Sequence, residues 1–259
     1  MSDVLVQKSQ VLKGGEFLVK SSLPEDTFIP EEINEDQRMI YHMVRDFLHQ
    51  EIFPNYHRIE KQEPGFSASL LEKMGELGLL SAHIPEAYGG MGLDTNTNTF
   101  IGDALGPAGS FTVSFAAHIG IGMLPIFYFG TEAQKLHYLP RLGSGELKAS
   151  YCLTEPGSGS DALAAKTRAD LSPDGKHYIL NGQKTFITNG PYADVIIVYA
   201  KLDEGDASVQ GFSTVQVYRR VIEGRAVQVV FSGDTVIERS YWGQGVVQRA
   251  YAALFLRVK

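Results

Sequence analysis

Apolar residues recur at helical spacing through the first half of the chain. Ile40, Met43, Val44, Phe47 and Leu48 fall three or four apart, the spacing of one buried helix face. Asn34 ahead of them and Gln37 three residues on form a capping-box pattern, and Glu35 and Asp36 suit the positive end of a helix. Pro54 stops this helix or lies just beyond it. A second helix is predicted over 66–77 with Gly78 as its C-terminal cap, another near 97–105, and a long apolar one over 111–127. Thr131 and Gln134 repeat the capping box and open a helix that ends at Leu142. The Gly/Pro-punctuated stretch 83–92 reads as a loop. After Gly143-Ser144-Gly145 the period shortens. Tyr151-Cys152-Leu153 is a short apolar run, His177-Tyr178-Ile179-Leu180 lies between two hairpin signals, Asp174-Gly175 and Asn181-Gly182, and Val195-Ile196-Ile197-Val198-Tyr199 has the composition of a central strand. The pattern predicts an α+β chain: an extension over 1–33, a helical domain over 34–148 and an antiparallel β-domain over 149–214.

Composition changes this picture in four places. The chain has 259 residues, 44% apolar and 10% aromatic, which excludes a disordered protein. Its formal charge of −7 argues against a nucleic-acid partner. Residues 104–131 carry no charged side chain and are long enough to cross a bilayer. Glycines, Pro107, Pro125 and a central His118 interrupt that stretch, so a buried core helix with a hydrogen-bonded histidine is expected rather than a transmembrane segment. The N-terminus lacks a basic region followed by an apolar one, and one cysteine cannot form an internal disulfide, so a cytoplasmic location is expected.

The last segment departs in chemistry. Lys outnumbers Arg 11 to 5 before Val215, whereas Arg outnumbers Lys 6 to 1 from there on. That switch suggests a different coding origin for 215–259, such as a frameshift. Its apolar runs 227–231 and 250–256 are the kind that pair freely when exposed.

No histidine or cysteine spacing suits a metal, and no Gly-x-Ser-x-Gly lies on a strand-to-helix turn. Gly157, Gly159 and Ala162 match a dinucleotide fingerprint by letters, the basis of a nicotinamide-oxidoreductase alternative. That reading requires a helix over 162–172, where hairpin signals crowd instead. Small residues in the loop would also let backbone N–H groups approach an anion or a flat ring. Thr154 precedes the loop, and Phe186, Ile187 and Thr188 are expected on a later strand. An aromatic face with two hydroxyls suits a planar heteroaromatic cofactor; a core aromatic and a strand-end turn are the plainer readings of Phe186 and Thr188.

Taken together, Tyr151-Cys152-Leu153-Thr154-Glu155-Pro156-Gly157-Ser158-Gly159-Ser160-Asp161 closely resembles the first signature of the acyl-CoA dehydrogenases. Asn181-Gly182-Gln183-Lys184-Thr185-Phe186-Ile187-Thr188-Asn189-Gly190 resembles that family's next strand. Ile84 to Gly92 and Phe129 to Lys135 look like its helical landmarks, and Lys13 to Leu18 is similar to its very-long-chain-like branch. The resemblance covers about residues 13–214. It implies a helical domain, an antiparallel β-barrel-like domain and a further helical domain. It also implies FAD-dependent α,β-dehydrogenation of a fatty acyl-CoA to a 2-enoyl-CoA, with an electron-transfer flavoprotein as acceptor and a homo-oligomeric assembly.

By the same resemblance, Tyr151, Cys152, Leu153 and Thr154 run beside the flavin ring, with Thr154 donating to its pyrimidine edge. Gly159 and Ser160 approach the phosphates or the acyl-CoA, Ser160 being the substrate-side contact. Phe186 stacks near the ring, where many relatives carry Trp; Ile187 accompanies it, and Thr188 bonds near N5. The family's catalytic glutamate lies in the further helical domain, and no residue here matches it. The chain by itself is therefore expected to be an inactive fragment, with a non-catalytic FAD- or acyl-CoA-binding scaffold as the alternative.

Overall fold

The structure, a computed structural model, describes Ser21, Leu23, residues 32–175 and 177–202, and the backbone of 211–215, 220–222, 225–227 and 236–237. Most of the expected extension 1–33 and of the segment 215–259, including the run 250–256, lies outside the described residues.

Helix α1 (Glu35–Phe47) opens as its sequence demands. The Asn34 side chain accepts from Gln37 N at 2.8 Å, and the Gln37 side chain accepts in return from Asn34 N at 3.1 Å. Its buried face is Gln37, Ile40, Val44 and Phe47, and it runs on through a π-helical turn, Leu48–Ile52, before Pro54. A short α2 (Tyr56–Glu60) comes next, which the sequence pattern did not predict. Helix α3 (Phe66–Glu76) buries Leu70, Leu71 and Met74, and Gly78, at φ +75°, turns the chain away after it. Helix α4 (Thr95–Leu105) is capped by Asp94, which accepts from Thr97 N at 2.8 Å.

The long apolar helix is real but irregular. It consists of α5 (Ser110–Ala116), a π-helical turn over Ala117–Gly122, and α6 (Leu124–Phe129) with Pro125 in its first turn. Ser110–Phe129 is long and apolar enough to cross a membrane. Phe111, Phe115, His118, Met123 and Ile126 on it are buried inside the protein. Helix α7 (Glu132–Gly143) carries the second capping box, Thr131 with Gln134.

The strands are β1 (Ala149–Cys152), β2 (Arg168–Leu171), β3 (Tyr178–Asn181), β4 (Val195–Leu202), β5 (Gly211–Val215), β6 (Arg220–Ile222), β7 (Arg225–Val227) and β8 (Val236–Ile237). They form an open mixed sheet in the order β3-β2-β4-β5-β8, with β1 also on β4, and a separate β6-β7 pair. This corrects the antiparallel, barrel-like expectation in two respects: β1 and β2 each pair with β4 in parallel, and the sheet does not close. Hairpin signals report only strands joined by a tight turn. The connections from β1 and β2 to β4 are long enough to permit parallel crossovers. Asp174-Gly175 does lie in the turn joining antiparallel β2 and β3, whereas Asn181-Gly182 ends β3 without forming a hairpin.

Two cores result. One lies wholly among helices and includes Val44, Leu48, Ile52, Leu70, Met74, Leu105 and Phe111. The other is shared: Met123, Ile126, Leu139 and Leu142 from the helices meet Ala149, Val195, Ile197 and Tyr199 from the sheet. Strand β1 is thereby clamped between the helical half and β4.

Candidate functional site

The loop after β1 is built around a buried ion pair. The Glu155 carboxylate accepts from Lys166 N at 2.6 Å, from Thr167 N at 2.8 Å and from Lys184 Nζ at 2.8 Å. The pair's side chains are only 6% and 10% exposed. Burial alone would raise the Glu155 pKa, but the Lys184 ammonium and the two backbone donors outweigh it and bring it down to about 2. Lys184 Nζ also donates to Leu153 O at 2.9 Å, and Thr185 N donates to Thr154 O at 2.9 Å. The segment 184–188 is therefore held alongside the end of β1.

Inside the loop, Glu155 and Ser158 exchange backbone hydrogen bonds at 2.9 and 3.1 Å, and Ser158 Oγ donates to Asp161 O. The chain makes one 3-10 turn, Ala162–Ala164, and then enters β2. The helix that a dinucleotide fingerprint needs is not there, and the β2–β3 hairpin takes its place, so the nicotinamide reading falls.

Phe186 to Gly190 is a turn rather than the expected strand. Phe186 and Asn189 both take positive φ, 57° and 64°, which is uncommon for residues other than glycine and costly for a bulky side chain. The Phe186 side chain is 90% exposed, so the core-aromatic reading fails. The turn is tied to β1 by Ser150 Oγ, which donates to Thr188 O at 2.7 Å.

The predicted residues fall into three groups. Tyr151, Cys152 and Leu153 turn inward: Tyr151 packs edge-on to Tyr199 with ring centroids 4.8 Å apart, Leu153 packs on the shared core, and Cys152 is buried. Burial pushes the Cys152 thiol up to about 11, against the opposing pull of Lys184, so it is inert at neutral pH. Cys152 thus offers a ligand only backbone, while Tyr151 and Leu153 keep part of their side chains accessible. Thr154, Ile187 and Thr188 are half-buried, and among the described residues neither threonine hydroxyl is committed to a hydrogen bond. Gly157, Gly159, Ser160 and Phe186 are exposed, and a Cβ on either glycine would enter open space. The chain's own packing does not require those glycines. An exposed ring, two uncommitted hydroxyls and bare backbone, all on segments that follow β1 or are bonded to its end, suit a planar ligand with polar edges and an attached anion.

Sequence reasoning missed the groups that hold this arrangement. Glu155 and Lys184 are 29 residues apart, and nothing in either segment marks them as partners. Ser150 and Asn189 drew no reading of their own from the sequence, yet both bond across to the turn or to β1. His118 was expected to be a hydrogen-bonded core histidine. Its Nδ1 accepts from Ala149 N and its Nε2 donates to Leu142 O, each at 3.0 Å.

Comparison with known proteins gives a consistent answer. A family model described as "Acyl-CoA dehydrogenase, N-terminal domain" matches residues 34–146, and one described as "Acyl-CoA dehydrogenase, middle domain" matches 150–229. A "Probable acyl-CoA dehydrogenase" of Bacillus subtilis (strain 168) is 49% identical over 195 residues, which are 75% of this chain and 33% of that protein. A crystal structure of an acyl-CoA dehydrogenase complexed with FAD from Bacillus anthracis superposes with a TM-score of 0.73 at 41% identity, covering 87% of this chain and 40% of that one. A structure described as an electron transferring flavoprotein of Acidaminococcus fermentans has a TM-score of 0.63 at 29% identity, covering 81% and 57%. The chain spans about a third of the length of the Bacillus subtilis relative. With its helical half and its sheet each matched in order, this chain belongs to the acyl-CoA dehydrogenase family.

Proposed function

We propose that this chain supplies the helical domain and the flavin-side wall of an FAD-dependent acyl-CoA dehydrogenase, which converts a fatty acyl-CoA to a 2-enoyl-CoA. The observation that carries the reading is the exposed Phe186 ring in a positive-φ turn beside the uncommitted hydroxyls of Thr154 and Thr188. FAD, when bound, supplies the hydride acceptor, while the protein orients it and tunes its electronics. Phe186 would stack against the ring. Thr154 would donate to its pyrimidine edge and Thr188 to the neighbourhood of N5. Backbone from Tyr151 to Leu153 would run alongside, and Ile187 would support the turn from beneath. Gly159 leaves room for phosphate, and Ser160 is the contact on the acyl-CoA side.

Removal of the α-proton is not assigned among these residues. The chain's proposed partners are the fatty acyl-CoA, an electron-transfer flavoprotein and further copies of itself, with a cytoplasmic setting. The absorbance and fluorescence of FAD titrated with the purified chain test this. One-to-one binding with a perturbed flavin spectrum is expected, and Thr154→Val should weaken it about fivefold, the worth of one hydrogen bond of ~1 kcal/mol. A chain that leaves the flavin spectrum untouched at high concentration would overturn the reading.

A further inference from the structure

Ala149, the first residue of β1, is gripped through both of its backbone polar groups by side chains from elsewhere. Its N–H donates to His118 Nδ1 at 3.0 Å, and its C=O accepts from Asn189 Nδ2 at 3.2 Å. The same Asn189 amide donates to Ser114 O at 2.8 Å, and Tyr192 Oη donates to Asn189 Oδ1 at 2.5 Å. His118 Nε2 in turn donates to Leu142 O at the end of α7. Ser114 and His118 lie four residues apart on one helical segment, so they share a face one turn apart. That segment also touches Ala149 directly: a Cβ on Gly122 would stand 2.5 Å from the Ala149 Cβ.

Every polar atom of the Asn189 side chain is thus committed, and both ring nitrogens of His118 are. Asn189 adjoins Thr188, whose carbonyl is held by Ser150, the residue after Ala149. We infer that His118 and Asn189 are positioning residues: they fix the Phe186–Thr188 turn to the helical half of the molecule through the two faces of Ala149, so that a shift of the Ser114–Gly122 segment reaches the turn. Both side chains are fully engaged by the protein itself. Two links from one helix face converge on a single residue, and a buried network with every member satisfied has one geometry rather than several. The functional meaning of this coupling rests on the reading of the turn as a flavin contact; the coupling itself does not.

Amide hydrogen exchange on the whole chain tests it without FAD. Asparagine can imitate the Nδ1 acceptor of histidine, and glutamine the more distant Nε2. His118→Asn is therefore expected to leave the Gly190, Tyr192 and Ala193 amides near their wild-type exchange rates. His118→Gln should accelerate them about tenfold relative to the amides of the β2–β3 hairpin. Equal behaviour of the two variants, or hairpin amides that rise in step with the turn, would overturn the inference.

Asn189→Gly keeps the positive φ and removes only the amide. It is expected to accelerate exchange of the Ala149 amide that His118 accepts, and an unchanged Ala149 amide would equally overturn the inference. FAD titrations of the same variants read the consequence separately. If wild type binds no FAD, the functional proposal fails while the exchange result still decides the coupling.

Discussion

His118 has no exposed surface, and its two ring nitrogens face a backbone donor and a backbone acceptor. A proton on Nδ1 would set N–H against N–H. Burial accordingly brings its pKa from 6.5 down to about 4, the bond to Leu142 opposing and the Lys148 charge assisting. The unfolded chain binds the proton more readily, so the stability carried by neutral His118 is complete above about pH 6.5 and is lost as the pH falls toward 4. At pH 5 the loss is about 2 kcal/mol. Urea unfolding at pH 7 and pH 5 should show this decline in wild type and a flatter one in His118→Gln. Glu155 works lower: its depressed pKa contributes stability that is complete above about pH 4.5 and disappears as the pH falls toward 2. Lys184→Met removes its countercharge and should cost about 3–5 kcal/mol in chemical denaturation, with Glu155→Gln on the same background restoring part of it. Of this, the buried and hydrogen-bonded state of His118 was legible in the sequence, whereas the Glu155–Lys184 pair was not. Thr154, Phe186 and Thr188 were singled out by their motifs, but the turn that exposes Phe186 was not, because a positive φ at phenylalanine leaves no pattern in composition.

At the scale of elements, local chemistry was readable and non-local pairing was not. Asn34 with Gln37 and Thr131 with Gln134 announce helix starts because each bond closes within three residues. Thr131→Ala should lower stability by about 1 kcal/mol, seen as a reduced thermal midpoint. Strand β4 shows the other case. Its apolar run predicted a central strand, and the buried Val195, Ile197 and Tyr199 bear that out. Its parallel pairing with β1 and β2 is decided by how the intervening chain crosses over, which periodicity does not encode. The meeting of the long apolar helix with β1 needs a residue with no side chain. Gly122→Ala should cost about 1–3 kcal/mol by overpacking, and should disturb the Ala149 amide more than any amide of α1.

For the molecule as a whole, the decisive feature is the core common to helices and sheet. Leu142 is fully buried there with Met123, Ile126, Val195 and Ile197. Leu142→Ala should cost about 2–5 kcal/mol. Because the core is shared, helical and strand signals in circular dichroism should fall together in one transition; two separated transitions would count against a single cooperative unit. The order of domains was legible at this scale because the period of the apolar residues changes once, near Gly145. The open edges of the sheet were not, since closure depends on strands brought together late in the chain. The π-helical turn at Ala117–Gly122 carries a different kind of consequence, one about descent. Such a turn accommodates one residue more than α-helical winding allows. Loss of a single codon there would remove that extra residue and let the segment rewind as plain α-helix, its two halves keeping nearly the same phase. Met123 and Ile126 would keep their places in the shared core, whereas the same loss within α1 would turn every residue after it by about 100°. The stretch is thus a place inside the buried half of the molecule where the chain can differ by one residue, as the surface turn between β2 and β3 can, without re-facing the helix that follows.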